Sequence, residues 1–600
     1  MRLTGGEIVA EYLIRRQVPY IVGIPGHGNT SLLDAFVDRA DRVKMIPVMH
    51  EQSAVHLADA FYRVSGTPLA VTTSIGPGAT NTTIGIAQAY VDSTAVLLIT
   101  GSVHTYMRGH TVLQEIERVQ WANFPRILEP IVKRYWQVSR VDQLPYVLHR
   151  AFNQMLAGRR GPVLVDLPMD VQADAADVEL PEADGREPHG RMRPDAVEVT
   201  RAAKILWGAK RPVLLAGGGV ITADAAAEFT ALAEHLGAAV VTTWMGKGAM
   251  PEDHPLYGWH PGDTGSSVGN ALCRSADVIL AIGCRFTDWI ASSYRDKVTF
   301  AIPPTKLIQV DLDPHEIGKN YPVTVGLLAD AKAALADLLE AVRDLGKARD
   351  YKKGAYFKDI VRLRDEWYER LRPAQTADLK PMTISRALVE LRKALPKETI
   401  VVTGAGLPQA QVWQEFPVYA PRTHITSGGF STMGFTVPGS IGAKLAAPKA
   451  PVVGIAGDGD FMQTMQELAV AVQLDLPVLI VILNNCGWQS IKNLQFNAYG
   501  EKRLLGTEFR KKDGSPYTAH FADVARAFGC HAERVEDPAA IGSAVKKAVA
   551  KGGPAVLELM TARDWPHTGL QKTGWWDVPI PTYLPKKRKE YEAARAEEKL

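Results

Sequence analysis

The chain has 600 residues, 46% hydrophobic and 22% charged, a make-up that fits several ordinary globular domains and excludes disorder, collagen and coiled coil. Its 68 Lys and Arg against 65 Asp and Glu leave a formal net charge of +3, too balanced for a protein that coats nucleic acid or an anionic membrane. The four cysteines, Cys273, Cys284, Cys486 and Cys530, are too scattered for a Cys-x-x-Cys pair and too few to staple so long a chain, which points to a reducing compartment.

The first element in chain order is a helix over Gly5–Arg16, and Glu7, Glu11, Arg15 and Arg16 interrupt it too often for a signal-peptide core. Apolar runs of strand length then alternate with stretches of helical spacing. They are Tyr20–Val22, Leu69–Thr72, Val96–Thr100 and Val163–Asp166, then Val213–Ala216, Ala239–Thr242, Val278–Ile282 and Leu307–Val310, then Ile400–Thr403, Val452–Ile455 and Val478–Leu483. Such alternation predicts α/β architecture, doubly wound parallel sheets covered by helices on both faces. The longest apolar stretch, Pro477–Leu483, is about a third of a bilayer crossing, so a cytoplasmic protein with no membrane or nucleic-acid partner is expected.

Two segments read as linkers: 173–194, rich in Ala, Asp, Glu, Pro and Gly, and the charged run 343–381. They divide the chain into sections 1–172, 195–342 and 382–561, each of normal domain size. The remainder, 562–600, holds Trp565, Trp575, Trp576 and the cluster Lys586, Lys587, Arg588, Lys589. It is expected to wrap over the body and end in a short charged helix.

The most specific chemical signal lies in the third section. A strand runs into Gly457-Asp458-Gly459-Asp460, a helix is predicted over Phe461–Leu474, and the next strand ends in Asn484-Asn485. Asp458 and Asn485 are one strand–helix–strand unit apart, which puts both at the carboxyl ends of adjacent parallel strands, where ligands bind. A carboxylate, a side-chain amide and the Gly487 carbonyl are hard oxygen ligands suited to Mg²⁺, and the glycines let a diphosphate approach a helix N-terminus. Gly-Asp-Gly alone is as consistent with a tight turn; with Asn-Asn at this spacing a metal–diphosphate cradle is the better reading.

These residues resemble the diphosphate-binding domain of the thiamine diphosphate enzymes, and the likeness extends over nearly the whole chain, closest to the acetolactate synthase group. It is carried by Gly23-Ile24-Pro25-Gly26, His50-Glu51-Gln52, Ser74-Ile75-Gly76-Pro77-Gly78-Ala79-Thr80-Asn81, Gln114-Glu115, Gly161 to Pro168, Ser427-Gly428-Gly429 and Met433-Gly434-Phe435. The resemblance implies pyrimidine-binding, central and diphosphate-binding domains, assembled as a homodimer or a dimer of dimers with the cofactor between subunits. It implies that Glu51 bonds the aminopyrimidine N1′, a task for which partial burial suits a carboxylate. Met433 matches the wedge that bends the cofactor, and Gln114 matches a glutamine facing the reacting centre. Pro25, Gly26, Gly76 and Thr80 fall in loops that approach the cofactor. The His27 imidazole either donates to an oxyanion or is a structural group held by a carbonyl. Trp488 and Gln489 follow the metal loop as substrate contacts.

The central section in this group holds an adenine-containing nucleotide or nothing. Gly217-Gly218-Gly219, the segment around Met245, Gly283-Cys284-Arg285-Phe286 and Asp311-Leu312-Asp313 resemble segments that hold FAD in acetolactate synthases, or the ADP part of coenzyme A in oxalyl-CoA decarboxylase and 2-hydroxyacyl-CoA lyase. Gly217, Gly218, Met245, Arg285 and Asp311 are the candidates. Two departures bear on the small-molecule substrate. Where acetolactate synthases read Arg-Phe-Asp-Asp-Arg, this chain reads Arg285-Phe286-Thr287-Asp288-Trp289, and an indole cannot replace a guanidinium fork on a carboxylate. The family's specificity tryptophan is replaced by Leu494. The reading therefore leans to reversible cleavage of a 2-hydroxyacyl-CoA, with acetolactate synthase and a cyclic-diketone hydrolase as alternatives, and an inactive nucleotide-binding homologue as the non-enzyme alternative.

Overall fold

The first and third sections fold around six-stranded parallel sheets with the same strand order. In the computed structural model, which describes residues 1–121, 124–182, 190–563 and 578–598, the first sheet runs Lys44–Pro47, Tyr20–Gly23, Ala70–Thr73, Leu97–Ser102, Val163–Pro168, Tyr135–Gln137. The third runs His424–Thr426, Ile400–Thr403, Val452–Gly457, Val478–Asn484, Ala555–Met560, His531–Val535. Numbered within each domain, both orders are 2-1-3-4-6-5, and each reverses direction beside its first strand, the switch point where open α/β sheets bind ligands. The central domain has five parallel strands in the order 2-1-3-4-5, beginning with Pro212–Ala216. Interior strands such as Val452–Gly457 and Val478–Asn484 are Val/Ile-rich because both faces are covered.

The first and third domains share an apolar core. Its path runs through the helix Glu51–Ser65 and the helix Thr436–Ala446, each of which follows the second strand of its own domain. They approach so closely that a Cβ at Gly442 would overlap the Leu57 carbonyl. The central domain has a separate core, into which the third domain inserts Trp413.

Three stretches differ from the sequence expectation. The segment 461–474 is not one helix but Asp458–Thr464, a 3₁₀ turn Met465–Glu467 and Leu468–Gln473. In 173–194, the strand Ala175–Asp177 pairs antiparallel with Arg2–Thr4. The run 343–381 contains a 22-residue helix, Ala355–Thr376, whose charges face solvent while Ile360, Trp367 and Leu371 bury into the central core, an amphipathic stripe hidden by the charge density. The tail ends in the charged helix Pro585–Arg595, followed by an ion pair from Glu597 to Arg295 of the central domain. Trp565, Trp575 and Trp576 lie outside the described residues. No helix among the described residues is long and apolar enough to cross a membrane.

Candidate functional site

The strand Val452–Gly457 passes directly into the helix at Asp458. Asp458 is buried, and its Oδ1 accepts the Gly459 N–H at 2.8 Å while Oδ2 accepts the Gly487 N–H at 3.1 Å. Burial pushes its carboxyl up to about 6; the opposing groups are backbone N–H donors, and no Lys or Arg is among them. A desolvated carboxylate with no cationic side chain is what an added cation would neutralise. Gly459 is required because a Cβ there would overlap the Trp488 ring. Asn485 is buried beside it, and Arg563 holds the Asn485 carbonyl at 3.2 Å while pairing with Glu508 at 2.6 Å. Trp488 N–H donates to the Thr507 carbonyl, so the strand-end loop is clamped from two directions.

The helix Asp458–Thr464 also shapes the neighbouring loop. Asp460 accepts from the Gly434 N–H at 2.7 Å and the Thr436 hydroxyl at 2.5 Å, and Thr464 donates to the Gly434 carbonyl. Gln463 contacts the Met433 sulfur at 3.8 Å. Met433, Asp458, Asn485, Gly487 and Gln489 thereby line one cavity of about 1440 Å³, joined by Gly457, Gly459 and Asp460. The buried Gln489 amide Nε2 has no protein partner there. At its central end the same cavity reaches Gly218, Met245, Arg285, Trp289 and Asp311. Gly217 lies behind, so close to Gly283 that a Cβ would overlap its carbonyl. Arg285 donates to the Val91 carbonyl at 2.8 Å, and the Trp289 Nε1 donates to the Thr264 hydroxyl at 2.8 Å while its ring packs edge-on to Trp244.

The other predicted residues gather at the carboxyl edge of the first sheet. Glu51 opens the helix Glu51–Ser65, behind the N-cap His50, whose ring accepts the Gln52 N–H. Its carboxylate is buried, with Oε2 accepting from Asn81 at 2.9 Å and Oε1 over Gly78, where a Cβ would lie 2.9 Å away. Gly76, at φ +52, lets the turn pass against the Gln114 carbonyl. Gly26 is tied to Asn29 at 2.8 Å, and Pro25, His27, Thr80 and Gln114 are exposed. None of Pro25, Gly26, His27, Glu51, Gly76, Thr80 and Gln114 lines the cavity. Within one chain the two sets therefore do not line the same cavity, although Gln52, next to Glu51, reaches the Gly434 loop.

Sequence reasoning missed a buried ion network where the three domains meet. Arg63 pairs with Asp59 and Asp92 and donates to the Thr426 carbonyl; Asp92 accepts from the Gly429 N–H at 2.9 Å. The four-residue spacing of Asp59 and Arg63 on a helix was its only sequence signal.

Residues 3–121, 199–338 and 404–559 match, respectively, the N-terminal TPP binding domain, the central domain and the C-terminal TPP binding domain of thiamine pyrophosphate enzymes. The chain is 35% identical over 577 residues to a probable acetolactate synthase large subunit of Methanocaldococcus jannaschii, covering 93% of this chain and 92% of the relative. It is 34% identical over 579 residues to the acetolactate synthase large subunit of Corynebacterium glutamicum, covering 94% and 88%. It is 33% identical over 578 residues to an acetolactate synthase of Arthrospira platensis, covering 94% and 95%.

Proposed function

The chain belongs to the thiamine pyrophosphate enzymes, and from that premise we infer that it is a carboligase of the acetolactate synthase kind, which decarboxylates one 2-oxo acid and joins the remainder to a second carbonyl compound. The names of relatives similar over nearly their whole length favour this over the 2-hydroxyacyl-CoA cleavage to which Trp289 inclines the sequence reading. Loss of one arginine changes how an acceptor carboxylate is held; it does not change the bond being made. The observation that carries the reading is the convergence of Asp458, Asn485 and the Gly487 loop on one cavity at a sheet switch point.

The residues fit the cofactor. Asp458 and Asn485 with the Gly487 carbonyl form a hard-oxygen set for Mg²⁺ and a diphosphate, and the unpartnered Gln489 amide is a donor awaiting an acceptor in the same cavity. When bound, thiamine diphosphate supplies a thiazolium carbon nucleophile and stores the negative charge left after carbon–carbon cleavage. Glu51, held by Asn81, would exchange a proton with the pyrimidine N1′; its burial beside Gly78 leaves room for the flat ring edge and keeps water off the carboxylate. Met433, fixed through Gly434 by Asp460 and Thr464, would wedge the cofactor's two rings. Gln489 would orient the substrate, with Gln114 and His27 approaching from the open edge of the first sheet. Because that edge lies outside the cavity, we take Glu51 and Gln114 to act on the cavity of a second copy of the chain.

Supplying the enzyme with pyruvate, Mg²⁺ and thiamine diphosphate should yield acetolactate. No acetolactate, with release of an aldehyde from a 2-hydroxyacyl-CoA instead, would return the reading to the lyase. The central end of the cavity we assign to a nucleotide group held around Gly218, Met245, Arg285 and Asp311. The mass and visible spectrum of material released on denaturation test it: flavin accords with the carboligase, coenzyme A with the lyase, and neither removes the assignment.

A further inference from the structure

Glu467 is fully buried and belongs to no part of the site described so far. It closes the 3₁₀ turn that follows the helix Asp458–Thr464, so only nine peptide units separate it from Asp458. Its side chain leaves the third domain and enters the first: Oε2 accepts the Met49 N–H at 3.1 Å. The His50 N–H and the Ser53 hydroxyl lie near it without closing a hydrogen bond, Oε1 has no partner, and no cationic side chain faces it. Met49 and His50 immediately precede Glu51, and Ser53 stands in the first turn of the same helix. The carboxylate thus anchors, from another domain, the segment that leads into the helix carrying Glu51. Burial pushes its carboxyl up to about 7, the cost of placing an acid where only dipoles answer it. A hydrophobic residue would pack the interface without that cost but would leave the Met49 N–H without its acceptor.

We propose that Glu467 is a positioning residue for Glu51, fixing the entry of the Glu51 helix from the same ten-residue segment that begins with the metal-loop carboxylate Asp458. That segment already holds Met433 and Gly434 through Gln463, Thr464 and Asp460. Resting on the reading that Glu51 serves the cavity of a second chain, the consequence is a rigid path from the diphosphate end of one active site to the acid–base group of the other.

The test reads Glu51's own work, the exchange of the thiazolium C2 proton for deuterium in the holoenzyme, followed by acid quench and proton NMR. Glu467→Ala should slow exchange roughly tenfold, and Glu467→Gln, which keeps one acceptor oxygen, should return it to within about threefold of the parent. Affinity for thiamine diphosphate with Mg²⁺, measured by calorimetry, should stay within about threefold in both, because Asp458 keeps its own N–H partners. If Glu467→Ala does not fold, Glu467→Asp, one methylene too short to reach Met49, should give the same slowing. Exchange at the parent rate in a folded Glu467 variant overturns the proposal, as does a parallel loss of cofactor affinity, which would mark a purely structural role in the third domain. Glu51→Gln is the control: if it too exchanges at the parent rate, the assignment of Glu51 fails and this proposal with it. Slow exchange in Glu51→Gln with normal exchange in the Glu467 variants overturns this proposal alone.

Discussion

The first and third domains have one strand order and opposite exposures. At the switch point of the third sheet the loops ending in Gly457 and Asn485 open into a cavity roofed by the central domain. At the matching edge of the first sheet the loops carrying Pro25, His27, Thr80 and Gln114 face outward, in company with exposed Met49, Ile84, Tyr106 and Leu113. The same topology thus yields a cavity lined by Asp458, Asn485 and Gly487 in one domain and an exposed rim of polar and apolar groups in the other. An apolar rim of this kind is a surface that association covers. On the reading proposed above, one chain would carry halves of two sites, which two-fold pairing would complete.

Breaking either half should have a different signature. Glu51→Gln should lower turnover by roughly 10²–10⁴ with cofactor affinity retained, whereas Asp458→Ala should abolish Mg²⁺-dependent cofactor binding in calorimetry. Mixing the two inactive variants after dissociation and reassociation sharpens the comparison further. If each site draws Glu51 and Asp458 from different chains, half the dimers are mixed and each has one intact site, so activity should recover to about a quarter of the parent. No recovery in a verified mixed dimer would mean that both residues serve within one chain.

The roof over the third domain depends on a second buried ion pair. Lys247 and Glu252 of the central domain meet at 2.8 Å with both side chains inaccessible, and they reach the third domain through the Trp413 carbonyl and the Val418 N–H. Glu252→Ala strands a buried ammonium and should cost about 3–5 kcal/mol in urea unfolding, with the cavity residues themselves untouched. Lys247→Met with Glu252→Gln should lose less than the single change.

The smallest effect concerns acid. His56, on the Glu51 helix, is pushed down to about 3 by burial, with Arg63 and His50 adding to the shift. The unfolded chain binds a proton below about pH 6.5 that the native protein refuses until about pH 3, so stability is lost as pH falls through this window. Between pH 7 and pH 5 the expected loss is about 2 kcal/mol. Thermal melts of His56→Gln should show a correspondingly shallower acid slope; an unchanged slope would place the proton uptake elsewhere.

The α/β class, the positions of most interior strands and the Asp458–Asn485 pair were all legible in the residues. Each depends on a local pattern: Val/Ile runs bounded by glycine, and a carboxylate and an amide separated by one crossover. Glu51 was legible through its neighbours His50 and Gln52, and Met433 through Gly434 and Phe435, as motifs shared with a family. What escaped has partners far along the chain. Glu467 meets Met49 across 418 positions, and Asp92 meets Gly429 across 337. A lone acid in a helix looks solvated until the surface that buries it is known. The charged run 343–381 misled in the opposite sense, because three apolar residues at helical spacing suffice to dock a helix whose composition looks like a linker.

Strand-length runs and a handful of short-range motifs therefore carried the class of fold, the family and the candidate loop at Asp458, because hydrophobic periodicity and loop residue types are properties of neighbouring residues. Which edge is roofed and which is open, that Glu51 does not line the cavity of Asp458 in one chain, and that Glu467 holds the entry to a helix of another domain were decided only by packing. Those facts depend on burial and on hydrogen bonds between segments hundreds of residues apart, where no local pattern constrains the partner.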